Sequence, residues 1–80
     1  VSRARDVVDV IAKALAARPE AVGVTESDRR GQTVIEITMA PGELGRVIGR
    51  HGRVAAAVRA LATAAGEIDG LRVAVDFRDA

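Results

Sequence analysis

The sequence predicts an α+β fold in the order helix, strand, strand, helix, helix, strand, with three helices on one face of a three-stranded mixed sheet. Three observations carry this. Apolar residues recur at helical spacing from Val7 to Leu15 and again from Val54 to Ala65. Apolar and polar residues alternate along 33–39 and 71–78. Each strand then offers a single apolar row, so every helix has to lie against the same side of the sheet and the other side is left to water. At 80 residues the chain is expected to form one domain, residues 1–80, with a compact core shared by every element.

Taken in order, Ser2 can cap a first helix running from about Arg3 to Ala17. Asp6 sits in its first turn and Val7, Val8, Val10, Ile11, Ala14 and Leu15 form its apolar positions. Arg18 suits its end and Pro19 stops it. Val22, Val24 and Glu26 belong to a first strand, Ser27 to Gly31 to a loop, and Thr33 to Met39 to a second strand with Ile35, Ile37 and Met39 on its core face. Ala40-Pro41-Gly42-Glu43 opens a short second helix whose apolar side is Leu44, Val47 and Ile48. A third helix starts at Arg53, carries Val54, Val58, Leu61, Ala62 and Ala65, and ends at Gly66. After a turn over Glu67 to Gly70, Leu71, Val73, Val75 and Phe77 make the last strand's apolar row. The first two strands should pair antiparallel and the last should lie parallel to the second.

Composition removes several classes of function. There is no cysteine, so neither a thiolate nor a disulfide is available. Phe77 is the sole aromatic residue, which leaves no platform for stacking bases. No apolar run approaches the roughly 20 residues of a membrane span, and the start lacks the pattern of a secretory signal; a cytoplasmic location is expected. His51, the single histidine, has no partner for a metal site or a catalytic triad. No enzyme activity, metal, cofactor or small-molecule substrate is therefore expected.

The net charge is only +1, yet Arg46, Arg50, Arg53 and Arg59 stand between Leu44 and Gly66 without a single acid. Such asymmetry reads as a patch for an anionic partner. At its centre Val47-Ile48-Gly49-Arg50-His51-Gly52-Arg53 places two glycines around a basic pair. Glycine admits positive φ and close approach to a ligand, while Arg50, His51 and Arg53 supply donors suited to phosphates. His51, at an ordinary pKa of about 6.5, adds positive charge only below neutrality. The pair of glycines joins two helices and lacks the Gly-Lys-Ser/Thr ending of a P-loop.

A helix, G-x-x-G and helix in this element order resembles the type II KH fold of RNA-binding proteins, whose loop clamps about four nucleotides. Val47 to Arg53 resembles that family's V-I-G-x-x-G-x core, and Ala40-Pro41-Gly42-Glu43-Leu44-Gly45 further resembles the small bacterial single-KH proteins called KhpA. One departure is Val54, where many KH domains have isoleucine. The resemblance implies that Gly49 and Gly52 admit the backbone of single-stranded RNA, that Arg50, His51 and Arg53 face it, and that Val47, Ile48 and Val54 line an apolar groove. It also implies that the second strand flanks the groove with Arg29 and Arg30 at its rim, extending the electrostatic footprint of Arg46 and its neighbours. An RNA chaperone or post-transcriptional regulator is the implied role. Pairing with itself or with a KhpB-like protein is implied too, and an assembly module in which RNA binding is secondary is the competing reading. Arg59 reads as a solvated helix residue.

Overall fold

The computed structural model describes residues 2–45 and 52–79. Helix α1 spans Arg3–Leu15, strands β1 and β2 span Gly23–Arg29 and Gln32–Met39, helix α2 spans Arg53–Ile68, and strand β3 spans Val73–Asp79. Helix α2 is the one expected third in the sequence. Of the expected second helix, Leu44 and Gly45 are helical, and residues 46–51 lie outside the described residues.

Strand β2 is central: β1 pairs with it antiparallel and β3 pairs with it parallel, as the alternation predicts. Its residues Ile35, Ile37 and Met39 are fully buried among Val24 and Val75 of the flanking strands. Ala4, Val8 and Ala12 of α1 and Val58, Ala62 and Ala65 of α2 close over them. The two helices thus meet the core largely through alanines, which let backbones come close without leaving a void. That choice of seam overturns part of the expected apolar stripe. Val10, Leu15 and Leu61 face outward, at 67%, 42% and 50% exposure, because the smaller residues occupy the contact. Among the described residues no helix is long and apolar enough to cross a membrane.

Helix α1 begins as expected. The Ser2 hydroxyl accepts the Arg5 amide at 3.1 Å and donates to Glu26 Oε1 at 2.6 Å, tying the cap to β1. The helix ends earlier than Ala17, with Ala16 already extended. The reason lies in the segment after β2: the buried Glu43 carboxylate accepts from Ala17 N at 2.6 Å and Arg18 N at 3.0 Å, taking the amides that would have continued the helix. Pro19–Ala21 then forms a 3-10 turn.

Three turns differ from expectation. The loop expected over Ser27 to Gly31 shrinks to Arg30 and Gly31, whose φ angles of 54° and 79° make a two-residue hairpin turn that suits the strands' twist. Ser27, Asp28 and Arg29 are consequently strand residues, paired with Val34, Thr33 and Gln32. Pro41 and Gly42 form a turn rather than the first turn of a helix: Gly42 has φ 85° and the Glu43 amide donates to Ala40 O at 3.1 Å. Finally, α2 does not stop at Gly66. It runs to Ile68 and ends where Gly70, at φ 71°, donates to Glu67 O while Leu71 donates to Gly66 O. These two bonds are the Schellman pattern, with Gly70 as its left-handed residue.

The far face of the sheet is not wholly polar. Val34 points to it yet is only 8% exposed. Arg29 reaches along that face to Glu36 Oε1 at 3.3 Å, and its stem has to pass the row of Val34 to do so.

Candidate nucleic-acid interface

The two described helices begin in opposite ways. The N-terminus of α1 is closed by a serine cap and an acid, Asp6, in the first turn. That of α2 is headed by Gly52 in the left-handed region, φ 70° and ψ 16°, with no side-chain cap and no acid in the first turn. Glycine has no side chain to satisfy the first amides of a helix, so these N–H groups point outward together with the positive end of the helix dipole. Arg53, the first residue of α2, is exposed beside them and adds a full charge. An uncapped, acid-free helix start carrying an arginine is suited to a phosphate. Nothing lies within 4 Å of where a Cβ on Gly52 would stand, so this glycine serves backbone conformation and leaves its surroundings open.

Of the residues expected at the site, Gly52, Arg53 and Val54 come together at this helix start. Val54 is half-buried and packs against the core with one flank, leaving the other available to a groove. Arg29 and Arg30 are brought together elsewhere, at the edge of a concavity on the sheet face turned away from the helices. Arg46, Val47, Ile48, Gly49, Arg50 and His51 lie outside the described residues. Glu43, at 8% exposure, anchors the segment that leads into them to the end of α1.

Arg59 is engaged within the fold. Its guanidinium lies 5.1 Å from the centroid of the Phe77 ring and its Nε donates to Val75 O at 3.4 Å, which binds α2 to β3. The one aromatic ring is therefore covered by a cation. The sequence reading also passed over Arg72, Val34 and Ala74, which share the concavity with Arg29 and Arg30. The signal available was Val34, an apolar residue placed by alternation among polar ones.

A mixed sheet backed by helices, with a helix that starts on a left-handed glycine directly after a G-x-x-G sequence, defines a KH-type domain. The chain belongs to the KhpA/KhpB KH-domain family, whose model matches residues 5–77. It is 41% identical over 77 residues to the RNA-binding protein KhpA of Aquifex aeolicus, covering 96% of this chain and 98% of that one. It is 46% identical over 70 residues to the RNA-binding protein KhpA of Leifsonia xyli, covering 86% and 88%. To the RNA-binding protein KhpA of Streptomyces coelicolor it is 38% identical over 74 residues, covering 92% and 90%.

Proposed function

We propose that residues 1–80 act as one KH unit that binds single-stranded RNA without catalysing a reaction, in the service of RNA chaperoning or post-transcriptional regulation in the cytoplasm. The observation that carries this is the uncapped, arginine-bearing start of α2, in a family whose relatives are RNA-binding proteins. In this reading a short helix after Glu43 leads into the loop as the second of three helices. Gly49 and Gly52 let the sugar-phosphate backbone approach, and Arg46, Arg50, His51 and Arg53 hold it. Val47, Ile48 and Val54 receive the bases by van der Waals contact, so sequence selectivity is modest.

Replacing Arg50 and His51 together by aspartate sets two negative charges where phosphates would lie. RNA binding should be abolished with the circular dichroism spectrum and melting curve unchanged. Unchanged affinity in that double variant would refute the groove.

A second reading is self-association or pairing with a KhpB-like chain, with RNA binding secondary. It is favoured by large apolar residues on the outer surfaces of both described helices: Val10, Leu61 and Ile68 are at least half exposed. Light scattering with and without RNA separates the two. A stable dimer indifferent to RNA, with no RNA crosslinked in cells, would favour assembly.

A further inference from the structure

On the sheet face turned away from the helices is a concavity of about 480 Å³, within the size range of sites for small ligands. Its floor is Val34 beside Ala74, direct partners in the β2–β3 register. Around the floor stand Arg29, Arg30 and Arg72, with Gln32 between them. The geometry follows from the chain. The two-residue turn puts Arg30 at one end of the sheet, and the amide of Thr33 donates to Arg72 O at 2.7 Å, fixing the start of β3 at the same end.

The charges there are unevenly paired. Glu36 is shared between Arg29 at 3.3 Å and Arg78 at 3.8 Å, and Asp76, which also borders the concavity, lies 3.8 Å from Arg78. Arg30 and Arg72 form no salt bridge among the described residues. Two exposed guanidinium groups over a small apolar floor match a phosphate joined to a sugar: forked donors for the oxygens, methyl groups beneath the ribose.

We propose that this basin is a second contact for the RNA strand, taking a backbone phosphate between Arg30 and Arg72 beyond the nucleotides held at the G-x-x-G segment. The inference rests on the RNA-binding reading above. A single strand of sixteen nucleotides, about 54 Å long at a stacked spacing of 3.4 Å, exceeds the 33 Å longest extent of the molecule and can serve both places. Four nucleotides fill only the first.

The test compares the affinity of a four-nucleotide and a sixteen-nucleotide RNA for the whole protein. Arg30→Gln with Arg72→Gln should weaken the long strand roughly three- to tenfold and reduce its salt dependence by about 1.4 in log–log slope, leaving the short strand unchanged. Ala74→Leu, which fills the floor without altering charge, should do the same to the affinity. Lys13→Gln with Arg18→Gln removes the same charge elsewhere and should not separate the two strands. In the wild type, the long strand alone should shift the methyl resonances of Val34 and Ala74. If neither RNA binds, or the Arg50 and His51 aspartates leave binding intact, the parent reading fails and this one with it. If both RNAs bind, those aspartates abolish binding, and the basin variants still hold the long strand as tightly as wild type, the basin alone is refuted.

Discussion

Gly66 of α2 lies so close to Val73 of β3 that a Cβ on the glycine would collide with Val73 Cγ2, and would also stand 3.2 Å from Leu71 O. The helix rests on the strand at that point with no room for a side chain. Gly66→Ala should therefore destabilise the fold: overpacking costs about 1–3 kcal/mol, more than the roughly 1 kcal/mol that alanine gains over glycine in a helix. Val73→Ala removes the colliding methyl, so the double variant should lose less than the sum of the singles. Urea denaturation of the four proteins measures that coupling.

Glu43 should matter to stability more than its place in a connecting segment suggests. Removing its carboxylate leaves the amides of Ala17 and Arg18 without their partner. Glu43→Ala should cost about 1–3 kcal/mol. Glu43→Gln keeps one accepting oxygen and should fall between alanine and wild type. Thermal melts give the order, and faster hydrogen exchange at the amides of Ala17 and Arg18 localises the cause.

At Gly52 the space around the missing side chain is open and only the backbone angles object. Gly52→Ala should lose about 1–2 kcal/mol, the cost of a left-handed conformation for an ordinary residue. Gly52→Asn should lose less, since asparagine enters that region more readily. If the strand's backbone approaches this position, asparagine will restore stability ahead of affinity, which calorimetry on both variants would show.

Arg53→Gln tests the charge at the start of α2. If the guanidinium neutralises one phosphate of a single strand, the log–log salt slope of binding should shrink by about 0.7 while stability hardly moves. A reduced affinity with an unaltered slope would assign Arg53 to something other than ion release.

Much of the fold is legible in the sequence because its signals are local. The alternation through Ile35, Ile37 and Met39 depends only on the pleat, and the Ser2 cap only on the residues that follow it. What escaped depends on distant partners. Gly66 and Gly70 look equally able to end a helix, and Val73 alone reveals that the first is there for contact and the second for φ. Glu43 reads as an acid at a helix start, whereas the amides it serves lie far back in the chain. Val10 and Leu61 look like core until alanines are seen to form the seam. At the candidate site, Gly52 and Arg53 were legible from the motif, while the grouping of Arg29 and Arg30 with Arg72 required the hairpin register and the parallel strand.

The N-terminus of α1 and the C-terminal end of α2 share one carboxylate. Asp69 accepts from the Arg3 amide at 3.1 Å and pairs with Arg3 Nε at 3.2 Å. This contact closes nearly the whole chain into a ring, and an exposed pair is too weak to offset that loop-closure entropy before the sheet has brought the ends together. It should therefore form after the folding barrier. Asp69→Ala would then act on the clock of unfolding alone: in stopped-flow chevrons the unfolding limb should rise and the refolding limb stay where it is.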